Sequence, residues 1–457
     1  MTQSRPPDVA GTQIPWRVVG GPLGRHTTDR ARSLAGWAGI LVALTAIPTL
    51  LGLVLRGWCL VNGFGGQVPL WRACYSDLPS MLGALRAGEA TGDPIVTGAV
   101  TAVLAEIVPG TGADARAQTA FVIGYALLAV VLLAALTLAV GTFRIEEPER
   151  ALLLVLCPAL PLGLLISADL VGVLLAVLAV LAWRLRHDAT AGALLALAVF
   201  SRSYALILAV VLVASALQHG RSVRRLGLGG LFGLVVVGAL ATAMGWQWLS
   251  APLKQWWNTV PSYGSVWMVP NLAGSPISQS ATPWIALGGW VLAGTVVLWV
   301  AWRPRPQTSQ AVALGDLALV GVAMALLTST AVPVQASLWL VPLVALSSLT
   351  WRDMLIWAGI EVAYFPMVWL YLGGLENPNR GLPAGWYSFF LLLRLAAIGY
   401  LAVRAAGIGG WSPPASPAGT GEGGQDESSL DEAQVEQGRG PSGWADEFAP
   451  VRSEQVP

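Results

Sequence analysis

Residues Gln118–Thr142 read QTAFVIGYALLAVVLLAALTLAVGT, 25 residues without one charged side chain. A bilayer core takes roughly 20 apolar residues in a helix, so this stretch is long enough to cross one. Similar runs lie on either side of it: Ser33–Leu55, Leu152–Ile166, Leu170–Arg184, Leu226–Gly245, Trp284–Trp302, Ala313–Thr330, Val334–Leu349, Met354–Gly373 and Trp386–Val403. Two shorter runs, Ala189–Phe200 and Tyr204–Leu217, flank the polar triplet Ser201-Arg202-Ser203. Of the 457 residues 55% are hydrophobic and only 11% charged, with a mean hydropathy of +0.64. An ordinary soluble domain carries about 25% charged residues, so this chain cannot clothe a globular surface in water. The fold class expected is an all-α polytopic integral membrane protein.

A net charge of +1 and a pI near 7.7 argue against a nucleic-acid partner, which calls for a basic stripe. Three cysteines, Cys59, Cys74 and Cys157, exclude a disulfide-rich scaffold and form no Cys-x-x-Cys pair. The histidines, His26, His187 and His219, are scattered, so no metal site or cofactor is expected, although two acids could share one divalent ion. A polar, Arg-bearing stretch precedes the first apolar run, which reads as a signal anchor.

Arginines set the orientation by the positive-inside rule. Arg17, Arg25, Arg30 and Arg32 precede the first run; Arg144, Arg150, Arg184, Arg186, Arg221, Arg224, Arg225, Arg303, Arg305, Arg352 and Arg404 mark later loops. Placing all of them in the cytoplasm gives twelve crossings, with Ile95–Val108 (short, carrying Glu106 and ending at Pro109-Gly110) re-entrant or partial. The expected organisation is a cytoplasmic segment 1–32, a membrane domain 33–406 with extracytoplasmic loops 56–94 and 246–283, and a disordered cytoplasmic tail 407–457 rich in Gly, Pro, Ser and acids. This describes a protein of the plasma (inner) membrane with both termini inside.

On that topology several polar residues gather toward the outer side, and buried ionisable groups in a membrane are functional candidates by default. Asp77 is either a catalytic carboxylate or the cap of a helix over Leu78–Arg86. Asp169 is either a site residue or the N-cap of the helix from Leu170. Arg202 either binds a ligand or bonds carbonyls freed at the broken helix. Lys254 either binds a ligand or snorkels at the interface. Asn258, Tyr263, Ser265 and Gln335 complete the candidates, Gln335 with the alternative of satisfying backbone beside Pro333. Trp246, Trp248, Trp256, Trp257 and Trp267 read first as interfacial packing, with stacking on a sugar ring as the other reading. Cys59 and Cys74 share the first external loop; a bridge between them would close about 15 residues, on the order of 3 kcal/mol by chain entropy, and the alternative is two unpaired thiols.

Cys74-Tyr75-Ser76-Asp77-Leu78-Pro79 resembles a segment of the actinobacterial branch of glycosyltransferase family 87. Pro94-Ile95-Val96-Thr97-Gly98 resembles its Tyr-Pro-Val-Leu-Thr-Gly segment, with Asp93 at the aromatic position. Ser167-Ala168-Asp169-Leu170 resembles Asn-Trp-Asp-Leu, and Ser201-Arg202-Ser203-Tyr204 the end of a Lys-x-Tyr-Pro segment. The run Val332–Pro342 and the stretch Tyr263-Gly264-Ser265-Val266-Trp267 are similar to two more, so the resemblance spans roughly Ser33 to Arg404. It implies a GT-C-like bundle of about twelve helices with large extracytoplasmic loops. The implied reaction moves a sugar, mannose in that family, from a polyprenyl-phosphate donor to a lipid-linked or glycan acceptor, with inversion. Asp77 would be the general base. Asp169, Arg202, Lys254, Tyr263, Ser265 and Gln335 would bind donor or substrate, Arg202 or Lys254 meeting the leaving phosphate. Loss of the Asn-Trp before Asp169 leaves acceptor and sugar open. The rival readings are a transporter or lipid flippase, for which twelve spans are equally typical, and an inactive relative serving as a scaffold subunit.

Overall fold

The structure, a computed structural model, describes residues 34–110, 112–258, 260–303 and 312–408; the N-terminal segment 1–32 and the tail from 409 lie outside the described residues. Among the described residues every regular element is helical. A helix satisfies its own backbone N–H and C=O groups, which a segment facing hydrocarbon must do.

In chain order, α1 (Leu34–Leu55) is broken for one residue at Thr45, where Pro48 withholds the N–H that the Leu44 carbonyl would accept and the Thr45 hydroxyl bonds the Val42 carbonyl at 2.6 Å. The short α2 (Leu78–Arg86) and α3 (Ile95–Ile107) follow, then α4 (Ala115–Phe143), whose 29 residues span about 43 Å. Next are α5 (Leu170–Arg184), α6 (Asp188–Val199), α7 (Leu206–Gln218), α8 (Arg224–Met244), α9 (Gln247–Asn258) and α10 (Thr282–Trp302). The chain closes with α11 (Leu314–Thr328), α12 (Ser337–Leu346), α13 (Trp351–Glu376) and α14 (Ala384–Ala405).

Six of these (α1, α4, α8, α10, α13 and α14) are long and apolar enough to cross a membrane. The remaining apolar helices, α3, α5, α6, α7, α11 and α12, fall in or near the 10–17 residue range and are too short to span alone. Of the twelve crossings expected from apolar runs, some of them below standard length, six are helices long enough to cross unaided and the others are short or broken. One expected span is not a single helix at all. Leu152–Ile166 breaks into the one-turn helices Leu152–Val155 and Leu160–Gly163, because Pro158 and Pro161 remove N–H donors inside the run.

Small residues let helices approach. A Cβ on Gly192 of α6 would land on the Leu226 carbonyl of α8, and one on Gly229 would land on the Ala189 carbonyl, so these two backbones touch. At the end of α4, Arg144 donates to the Leu346 carbonyl at 3.1 Å and Arg150 to the Ser347 and Leu349 carbonyls at 2.7 and 2.6 Å. The Asp353–Arg404 pair and the Thr350–Asp353 capping box follow that turn at the start of α13. At the other end of α4, Arg86 at the close of α2 donates to the Val108 carbonyl at 2.8 Å, shortly before α4 begins.

Candidate active site

The proline-broken stretch before α5 leaves main-chain carbonyls without helical partners, and they become the mount for the loop that carries Asp77. Ser76 Oγ donates to the Leu165 carbonyl at 2.7 Å, and the Asp77 N–H donates to the Ile166 carbonyl at 2.8 Å. The buried Arg56 guanidinium donates to the Gly52 and Leu162 carbonyls at 3.2 and 3.0 Å. A disulfide joins Cys59 to Cys74, with Cα atoms 6.0 Å apart, tying the loop to the chain just after α1. Cys157 is buried and unbridged.

Asp77 occupies the N-cap position of α2, yet its side chain makes no capping bond; Ser76 Oγ accepts from the Leu78 N–H instead, at 3.3 Å. The Asp77 carboxylate takes a hydrogen bond from the Tyr75 side chain and holds its proton above the ordinary carboxylate range. Burial is the first cause; Asp93 and Asp169 push the same way, against Tyr75 and Arg202. Tyr75 stacks obliquely on Trp369, rings 5.0 Å apart.

Asp77 opens on a cavity of about 380 Å³ whose lining includes Tyr75, Tyr263, Gln335, Tyr364 and Trp369. The Trp369 indole N–H is buried without a partner among the described residues. Among the described residues no cation belongs to this lining.

The far wall is fixed by residues that lie inside apolar runs. Arg394 of α14 is fully buried and bonds both Glu361 carboxylate oxygens at 3.1 Å, the Val332 carbonyl at 3.0 Å and the Pro333 carbonyl at 3.1 Å. Its guanidinium also lies 4.7 Å from the Tyr364 ring. Gly264, at φ +83°, packs so closely that a Cβ there would strike the Val332 carbonyl, and its N–H donates to Tyr387 Oη at 3.1 Å. Tyr387 in turn stacks on Tyr371, rings 4.4 Å apart. Neither Glu361 nor Arg394 stands out in hydropathy, because one charge barely lowers a run of twenty; opposite charges at mid-span of two successive apolar runs were the available signal.

The other expected residues separate into groups. Asp169, 1% exposed, does not cap α5: its Oδ1 accepts from Ser167 Oγ at 3.0 Å and from Arg202 Nε at 2.5 Å, and its Oδ2 has no partner among the described residues. Arg202 Nη2 lies 3.2 Å from Asp93, so two carboxylates hold this guanidinium in place of carbonyls from the broken helix. Asp93 is raised above the ordinary carboxylate range, chiefly by burial. Tyr263 and Gln335 line the Asp77 cavity. Ser265 does not; it is buried and accepts from the Trp267 N–H at 3.1 Å, a turn contact. Lys254 is exposed on α9 and is not part of the lining either. Among the described residues no three His, Cys, Asp or Glu side chains converge as metal ligands.

No protein-family model matches the chain, and no curated protein matches it. Function is therefore read from the site itself.

Proposed function

We propose that this chain is a membrane-embedded glycosyltransferase of GT-C type, moving a sugar, mannose by the family resemblance, from a polyprenyl-phosphate donor to a lipid-linked or glycan acceptor at the outer face. The Arg-rich turns at the other end of α4 would face the cytoplasm. The observation that carries the reading is Asp77: a carboxylate on a doubly anchored loop, not spent on its own helix, opening on an aromatic-lined cavity.

In this reaction Asp77 takes the proton of an acceptor hydroxyl as that oxygen attacks the anomeric carbon. The bond from that carbon to the phosphate oxygen breaks, its electron pair leaving with the phosphate, and attack from the opposite side inverts the centre. A raised Asp77 makes a stronger base than an ordinary aspartate, which suits proton abstraction near neutral pH. With Arg202 held by two acids and Lys254 outside the cavity, a neutral donor such as the Gln335 amide would meet the leaving phosphate. The test is Asp77→Asn: transfer from polyprenyl-phosphate-mannose by the purified protein falls by about 10²- to 10⁴-fold while folding persists. Normal turnover by that variant ends the proposal.

A further inference from the structure

We propose that a second recess, about 570 Å³ and walled by Trp257, Asn258, Gln279, Ser280, Pro283 and Trp284, is a binding site for a neutral sugar. It lies between the end of α9 and the start of α10, and among the described residues it shares no lining residue with the Asp77 cavity. Trp257 and Trp284 meet edge to face, ring centroids 6.3 Å apart, and remain 51% and 66% exposed. Their rings are therefore available to a ligand and are not consumed by the core. A pyranose offers an apolar C–H face to such a ring and hydroxyls to flanking amides. The recess supplies both kinds of partner. Gln279 Nε2 donates to the Asn258 main-chain carbonyl at 2.7 Å, which ties the two walls together and leaves Gln279 Oε1 as an acceptor. The Asn258 amide and the Ser280 hydroxyl add donors and acceptors.

Charge narrows the ligand. None of the six lining residues is ionised, so a phosphate entering here would lose water without gaining a counter-charge. Paired aromatics also suit quaternary ammonium groups, but none of these six residues is an acid that would balance a cation. A neutral, hydroxyl-rich ring fits both constraints. Covalent geometry adds a link to the first cavity: Asn258 and Ser262, which line the two sites, are four residues apart, at most about 14 Å along the chain. A glycan of a few rings held by the indoles could thus present its end toward Asp77 as the acceptor. That last step rests on the transferase reading, whereas sugar binding in the recess does not.

The experiment is calorimetric titration of the purified full chain, in a detergent without a sugar headgroup, with mannotriose and no donor. Saturable binding is expected, weakened about tenfold by Trp257→Ala or by Trp284→Ala and largely kept by Trp284→Phe, with melting curves showing that each variant is folded. Because no transfer is read, a failed transferase assay leaves this result standing. Absence of saturable binding overturns the proposal, as does binding that both alanine variants leave intact. So does a result in which the alanine variants only lose partition into phosphatidylcholine vesicles, which would make the indoles an interfacial anchor.

Discussion

Of the arginines that hold carboxylates, Arg202 and Arg394 do so in opposite ways. Arg394 faces one acid, Glu361, with both side chains essentially shielded from solvent and the remaining guanidinium hydrogens given to main-chain carbonyls of 332–334. Charge is balanced and nearly every donor is used. Arg202 is 24% exposed and stands among three acids, bonding Asp93 and Asp169 while Asp77 lies within electrostatic range. There the sum is formally negative, and Asp169 Oδ2 is left without a partner among the described residues. A balanced, saturated pair holds a wall in place; an unbalanced cluster keeps chemical potential for a ligand or a proton.

The largest effect expected from breaking this comparison is on stability. Arg394→Met strands Glu361 as a buried unpaired charge and should cost about 3–5 kcal/mol, read as a loss of melting temperature, whereas the double change Glu361→Gln with Arg394→Met recovers part of that loss. Equal destabilisation by the single and the double variant would show that Glu361 is not the stranded partner. Gly264→Ala, which needs a left-handed backbone and collides with the Val332 carbonyl, should cost about 1–3 kcal/mol and disturb the same wall. Arg202→Gln, at the unbalanced cluster, should cost about 1–3 kcal/mol in stability, and it also removes the positive charge that favours ionised Asp77. The acid limb of its pH–rate profile should then lie at higher pH than in the wild type. Asp93→Asn should displace that limb the other way, since it removes a like charge.

The smallest effect concerns Asp77 itself and has a fixed sign. Its native pKa lies above the unfolded value, so the native state binds more protons between the two and stability falls as pH rises through that window. Above it the ionised carboxylate remains a cost. Asp77→Asn should therefore melt at or above the wild-type temperature at neutral pH while losing activity. A lower melting temperature would mean that the carboxylate supports the fold and is not held against it.

Helix content and membrane-spanning character are legible in the sequence, because run length and the scarcity of charge speak for themselves: Gln118–Thr142 could hardly be anything but a long apolar helix. The break inside Leu152–Ile166 was also written in Pro158 and Pro161, but hydropathy averages over prolines and hides it. Asp77, Tyr263 and Gln335 could be nominated from sequence, yet not their shared cavity.

Local chemistry is the part the chain determines on its own: which segments are apolar, where proline forbids a helix, which residues can carry charge. Pairing is the part that only the tertiary structure decided. Arg202 meets Asp169 across 33 residues of chain, Arg394 meets Glu361 across the same separation, and the Ser76 hydroxyl finds a carbonyl 89 residues away. Hydrogen bonds and ion pairs act over a few ångströms, so their partners depend on how helices pack in space, which no local pattern encodes.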